Sequence, residues 1–139
     1  MCSFEALVDA LLPLGLIPAV VPEFKGITVG GSLQGLAAES TSFKLGYVHD
    51  CIVGFEAVLG DGQVLWCSES ENAELFRALP GSFGSLAVCT RVRMLCLRAA
   101  PFVQCRVRHW DSAGACVGYL ADVQVCQALV KAMLILACR

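Results

Sequence analysis

The sequence has no uninterrupted stretch of about 20 apolar residues, the length a bilayer-spanning helix needs, although 57% of its 139 residues are hydrophobic and its mean hydropathy is +0.69. The two stretches emptiest of charge, Ala10 to Pro22 and Ala132 to Cys138, are too short. Charged residues are also scarce, at 16%. So much apolar side chain collapses in water, which excludes a disordered polypeptide or one that coats nucleic acid. Neither end combines a basic start, an apolar stretch and a small-residue cleavage site, so no secretory signal is read. The chain therefore reads as intracellular or as a fragment. Its length matches the usual ~100–200 residues of one domain. Two further absences are informative. Neither G-x-G-x-x-G nor G-x-x-x-x-G-K-[ST] occurs, which excludes the two familiar nucleotide loops. No C-x-x-C pair occurs among the nine cysteines, whose successive gaps are 49, 16, 22, 7, 9, 11, 10 and 12. A zinc knuckle or thioredoxin-type centre is thus not expected, and no metal site is assigned. Reduced thiols acting as small core residues suit this pattern.

The charge that is present is unevenly placed. Residues 1–77 hold ten acids and three bases, whereas residues 78–139 hold seven bases and two acids. Such asymmetry can mark a nucleic-acid surface. Arg91, Arg93, Arg106 and Arg108, however, sit two apart in apolar runs, as on the wet face of a strand, and no nucleic-acid partner is expected.

Local patterns imply an α+β fold, an antiparallel sheet flanked by helices. Ser3 precedes Phe4, Leu7, Val8, Leu11 and Leu12, a capped amphipathic helix that Pro13 and Gly15 end. Pro18 and Pro22 make residues 16–22 an extended crossing segment. From Gly26 to Gly46, glycine and serine interleave, predicting loop or helix-and-turn structure with close backbone approach. Cys51 to Leu59, Gly60-Asp61-Gly62 and Gln63 to Cys67 predict an antiparallel hairpin. Ser68-Glu69-Ser70-Glu71 has capping-box spacing, predicting a short helix through Leu75, Phe76 and Leu79 that Pro80-Gly81 stops. Leu86 to Leu97 alternates as one long strand, with Val88, Thr90, Val92, Met94 and Cys96 on one face; Phe102 to Trp110 predicts another. Val123, Cys126, Leu129, Val130, Met133 and Leu134 would form a helical stripe.

Chemistry concentrates in Thr28-Val29-Gly30-Gly31-Ser32-Leu33-Gln34-Gly35, continuing through Glu39-Ser40-Thr41-Ser42 to Gly46. Glycines let main-chain N–H groups approach an anion, and serine hydroxyls add donors. By composition, a structural glycine turn and a cradle for a diphosphate are equally good accounts. His49 beside Asp50 lacks a nucleophile and a third orienting group, so it reads as a strand-edge pair. His109 reads as a surface position. Glu56, Asp61, Glu69, Glu71 and Glu74 are explained by hairpin and helix starts.

These residues resemble the PCMH-type (vanillyl-alcohol-oxidase-like) flavin-binding domain and, within it, the Δ24-sterol reductases, over about Leu7 to Pro101. Pro22-Glu23 leading into Thr28-Val29-Gly30-Gly31 is similar to the entry to the family's second flavin subdomain. Glu39-Ser40-Thr41-Ser42 with Lys44 and Gly46 resembles its serine cluster, and Glu56 to Gly62 its hairpin. Ser70-Glu71-Asn72, Glu74-Leu75-Phe76, Ala78, Pro80, Ser82, Gly84 and Leu86 resemble the sterol reductase branch. At Phe43 and Leu45 the sequence departs from the histidine and tyrosine usual there, so hydrogen bonds of those groups near a flavin are missing.

The resemblance implies noncovalently bound FAD, its diphosphate and ribityl chain against Thr28, Val29, Gly30, Gly31, Ser32, Gly35, Glu39 and Ser40. Ser42 and Gly46 would lie close by, and the adenine near the backbone at Val88. It implies hydride transfer from reduced flavin to the double bond of a sterol side chain, with NADPH as reductant, in sterol biosynthesis at the endoplasmic reticulum membrane. Membrane association would come only through parts absent from this chain. Residues 1–101 would be a partial flavin domain, its first subdomain expected before Met1, and 102–139 the start of a substrate domain or a divergent tail. Such a fragment would be inactive by itself. No catalytic residue and no oligomeric state follow. A flavin oxidase or dehydrogenase of sugar acids or hydroxy acids, and a noncatalytic binding module with exposed apolar faces, are the alternatives.

Overall fold

The computed structural model describes residues 1–102 and 107–126. The chain divides into two units, Met1–Ala99 and Ala100–Arg139. The first is α+β, with helices beside antiparallel strands.

Helix α1 (Phe4–Leu11) begins where the Ser3 side chain accepts the Ala6 N–H, the local cap the sequence predicts. A short 3₁₀ turn carries the backbone through Pro13 to Gly15, and β1 (Leu16–Pro18) follows. Helix α2 (Val29–Gln34) has Thr28 as its cap, and α3 (Ser42–Leu45) is a single helical turn. The glycine-serine segment is thus helix and turn. Cys2 to Phe4 and Ile27 to Val29 run antiparallel: the Phe4 N–H donates to Ile27 O at 2.9 Å and the Val29 N–H to Cys2 O at 3.0 Å. This ties the starts of α1 and α2 together.

The main sheet has the order β3-β2-β4, all antiparallel, from β2 (Ile52–Val58), β3 (Val64–Cys67) and β4 (Val88–Met94). The hairpin closes as predicted, with the Leu59 N–H on Gln63 O and the Gln63 N–H on Asp61 Oδ1. Phe55 on central β2 lies opposite Cys67 on one side and Val92 on the other. It is fully buried, stacks on Phe76 at 5.5 Å, and centres a core that includes Phe4, Val20, Leu33, Val48, Ile52 and Leu79. Burying one such ring contributes about 1.5–3 kcal/mol.

The sequence predicts one strand from Leu86 to Leu97, and the structure divides it. After β4 the backbone steps at Leu95 into β5 (Cys96–Arg98), which pairs with β1 in a separate two-stranded sheet. The Leu95 N–H donates to Cys51 O and its carbonyl accepts the Ala19 N–H. Strict alternation also fails within β4. Arg91 faces Glu56 but Cys89 faces Ala57, so Thr90 is extra. That bulge shifts the phase, and Cys89, Val92 and Met94 pack against the core while Val88 and Thr90 stay exposed. Arg91 and Arg93 lie on the wet face, where the Arg93 guanidinium sits 5.1 Å from the Trp66 ring.

The capping box also forms differently. The Ser68 hydroxyl accepts the Ser70 and Glu71 N–H groups, but the backbone then turns again before α4 (Ala73–Ala78). Asn72 holds the left-handed conformation at φ 49° while its Nδ2 donates to Trp66 O at 2.7 Å. Asparagine tolerates that conformation better than most residues, so the helix starts at Ala73 and no side chain caps it.

In the second unit, α5 (Ala113–Cys126) starts after Ser112, whose hydroxyl accepts the Ala115 N–H. Tyr119 packs against Trp110 at 5.2 Å and lies under the Arg108 guanidinium at 4.6 Å. Phe102 and residues 107–110 form no strand, and the Arg108 and Trp110 side chains turn to this helix instead. Residues 103–106 of the predicted strand, and the predicted stripe beyond Cys126, lie outside the described residues.

Candidate functional site

Helix α2 presents three different faces. Val29, Ser32 and Leu33 turn inward and are buried. Gly30 and Gln34 face the start of β4: the Cβ position of Gly30 lies 3.8 Å from Cys89 O, and Gln34 Nε2 donates to Ala87 O at 3.3 Å. Gly31 is exposed, and the Cβ position of Gly35, one turn later, lies 4.0 Å from the Phe83 ring. The structure therefore brings the backbone on both sides of the exposed Val88, at Ala87 and Cys89, against α2.

The Gly31 and Gly35 amides are not free to act as the sequence suggests. The Gly31 N–H donates to Thr28 Oγ1 at 3.1 Å, the Ser32 N–H to Thr28 O, and the Gly35 N–H to Gly31 O at 2.8 Å. These bonds are the helix's own cap and turn. The Gly30 N–H takes part in none of them. The missing side chains instead permit close approach, since a Cβ on Gly31 would lie 2.7 Å from Thr28 Oγ1 and one on Gly35 2.9 Å from Gly31 O.

The serine cluster packs beyond the end of α2. The Ala37 N–H donates to Ser32 O and the Val48 N–H to Ala37 O, which fold residues 37–48 back along the helix. Within that arm, Glu39 and Ser42 close a turn on each other: the Glu39 N–H donates to Ser42 Oγ at 2.9 Å and the Ser42 N–H to Glu39 O at 2.8 Å. The Ser40 hydroxyl donates to the Glu39 carboxylate. Ser40 and Ser42 are therefore engaged inside the arm.

Gly46 ends α3 at φ 77° and ψ −169°, a conformation that suits glycine alone. The Asp50 carboxylate fills the space beside it, 2.5 Å from where a Cβ would be, and accepts the Tyr47 N–H at 2.7 Å. His49 stacks on Tyr47 at 5.6 Å, and its Nε2 lies 3.5 Å from Asp50 Oδ1. The His49-Asp50 pair thus braces a turn, and the role of Asp50 there depends on an absent side chain at Gly46, which pattern alone does not reveal.

Ser32, expected at the cofactor, is 2% exposed, and two polar groups not expected there share its state: Thr41 is 8% exposed and the Ser82 hydroxyl is buried. None of the three hydroxyls has a hydrogen-bond partner among the described residues. A buried hydroxyl left so costs about 1–3 kcal/mol. Thr41 lay hidden within the serine cluster, and Ser82 within a motif read only for family branch. Two large apolar residues beside α2 were also unforeseen, Leu36 at φ 53° and Phe83 at φ 50°.

The six cysteines whose state is described are free thiols, with Cys51, Cys67 and Cys116 buried. Burial pushes the Cys51 and Cys67 thiols up, and pushes Cys89 up to about 11, so none is an activated nucleophile. Among the described residues, no three His, Cys, Asp or Glu side chains gather to hold a metal ion. Nor is any described helix long and apolar enough to cross a membrane.

The model of the FAD binding domain family matches residues 2–68, from the start of α1 through the hairpin. Delta(24)-sterol reductase of Homo sapiens is 37% identical over 100 residues, 71% of this chain and 19% of the relative. The enzyme of the same name from Pisum sativum is 38% identical over 78 residues, 55% of this chain and 14% of the relative. Cytokinin dehydrogenase 3 of Oryza sativa is 35% identical over 95 residues, 68% of this chain and 18% of the relative. The chain thus spans about a fifth of the length of the first of these relatives. Its residues 2–68 are thus similar to the FAD binding domain family, and the same part of the chain resembles relatives named as sterol reductases and cytokinin dehydrogenases.

Proposed function

We propose that this protein supplies the second flavin subdomain of an oxidoreductase that reduces the double bond of a sterol side chain. The observation that carries the cofactor part is the set of buried hydroxyls at Ser32, Thr41 and Ser82, which lack partners among the described residues. Polar groups in such a state are suited to the oxygen-rich edge of a dinucleotide. The exposed glycine face at Gly31 adds a shelf with no side chain to hold a ligand away from the backbone. The residues therefore fit FAD. In this proposal Thr28 to Gly35 lie under the diphosphate and ribityl chain. Glu39, Ser40, Ser42 and Gly46 shape the adjoining arm, and the backbone at Val88 borders the adenine.

Bound flavin supplies hydride transfer. The protein's own part is to bind, to orient and to keep water from the cofactor edge. The sterol substrate, NADPH as reductant and a place at the endoplasmic reticulum membrane extend the proposal from the sterol reductases among the relatives. The dehydrogenase reading draws support from the cytokinin dehydrogenases, which match a similar share of the sequence and whose name gives a cytokinin in place of the sugar acid or hydroxy acid.

Titration of the purified protein with FAD, followed by flavin absorbance and fluorescence, tests the cofactor. Saturable binding that Gly31→Arg abolishes is the expected outcome. A folded protein that leaves the flavin spectrum unchanged at every concentration overturns it. For the activity, the enzyme carrying this segment is mixed with a Δ24-sterol and NADPH, or with a cytokinin and an electron acceptor. Turnover of the cytokinin alone would replace the sterol proposal.

A further inference from the structure

The loop between α4 and β4 contains a residue whose position is costly and unexplained by the rest of the unit. Phe83 has φ 50°, in the region that disfavours L-residues, and it is 80% exposed. It is not a loose loop tip. Its N–H donates to Gln34 O at 3.2 Å, Gln34 Nε2 returns to Ala87 O, and Ser85 donates through both N–H and hydroxyl to Ser82 O. The backbone is thus pinned to the end of α2, and the pinned conformation carries the ring beside the Gly35 edge of the glycine shelf. Leu36, the other large apolar residue at positive φ, leans on Gly81, with Cδ1 3.0 Å from that glycine's Cβ position. Next to Phe83, the buried Ser82 hydroxyl lacks a partner.

The positive φ costs free energy, and a ring 80% exposed gains little burial in return. A flat aromatic partner would supply that burial, because ring faces stack and shed water. We infer that Phe83 forms a stacking wall for a planar heterocycle of the bound dinucleotide, with Leu36 closing the rim beside it. This rests on the FAD reading above, and it names a specificity-determining residue for that site.

The experiment compares the wild-type protein with Phe83→Gly and Phe83→Trp, titrated separately with FAD, FMN and ADP, and melted without ligand. Phe83→Gly removes both ring and strain. It is expected to weaken FAD binding about tenfold while raising Tm by about 3 °C. Phe83→Trp is expected to keep the affinity. The partial ligand that loses affinity identifies the ring: FMN for the isoalloxazine, ADP for the adenine. Unchanged FAD affinity in Phe83→Gly overturns the wall while leaving the cofactor intact. A lowered Tm also overturns it, because the ring would then serve the fold itself. A wild-type protein that binds no FAD removes the cofactor reading and the wall together.

Discussion

Gly46→Ala exposes how the arm formed by residues 37–48 is held. Two costs add at this position. The backbone at φ 77°, ψ −169° strains any L-residue by about 1–3 kcal/mol. The new methyl would lie 2.5 Å from Asp50 Oδ2 and 2.8 Å from Asp50 Cβ, so the carboxylate must leave. Its departure breaks the 2.7 Å bond from the Tyr47 N–H. Because the Asp50 side chain is about half exposed, that bond contributes near the low end of the charged range, about 1.5 kcal/mol. The total is about 3 kcal/mol, or roughly a 15 °C fall in Tm for a unit of this size. A double-mutant cycle separates the two costs. Asp50→Gly alone loses the bond and also removes the Cβ that would crowd the new methyl, so Gly46→Ala added to it incurs only the backbone strain, giving a coupling of about 1.5 kcal/mol. Urea unfolding of the four proteins, followed by tryptophan fluorescence, measures it. A Gly46→Ala cost that is the same with and without the Asp50 carboxylate refutes the steric account. A cost below about 0.5 kcal/mol refutes the strain as well.

Phe55→Ala empties the centre of the core and is expected to cost about 3–5 kcal/mol in urea unfolding; a loss under 1 kcal/mol would show that the β2 ring is not central. Cys89 titrates at about 11 because burial disfavours its thiolate, against 9.0 unfolded. The folded state therefore holds its proton more tightly, and stability is whole below pH 9 and declines as pH climbs toward 11. Urea midpoints at pH 8 and 10.5 should show that decline, and Cys89→Ala should flatten it. Brief alkylation at pH 8 with peptide mapping should label exposed Cys2 well before Cys51, Cys67 or Cys89; early labelling of Cys51 would contradict its burial.

Features set by neighbours in the sequence were legible. Ser3 announces α1, Pro13 and Gly15 end it, and Gly60-Asp61-Gly62 closes the hairpin, because each acts within a few residues. What escaped depends on distant partners. The break at Leu95 needs Cys51 and Ala19, and the bulge at Thr90 needs Glu56, whose carboxylate takes the Thr90 hydroxyl at 2.8 Å. Ser68 to Glu71 has the spacing of a cap, but the bond from Asn72 to Trp66 delays the helix. At the site, the glycine segment was visible as composition. The Gly31 and Gly35 amides are claimed by Thr28 and by the helix itself, a competition decided only once the turn forms. Leu36 and Phe83 carry no local sign that they adopt positive φ, since nothing in their own chemistry favours it.

Leu95 fastens the unit as a rivet fastens two plates. Its amide hydrogen leads to Cys51, beside the three-stranded sheet, and its carbonyl oxygen leads to Ala19, beside the two-stranded one. Neither plate can peel away without shearing that joint, so the amides of Ile17 and Phe55 should exchange with deuterium in a single shared opening. A flavin gripped by one plate would thereby slow the breathing of the other, and cofactor loading would register at a strand that never meets it.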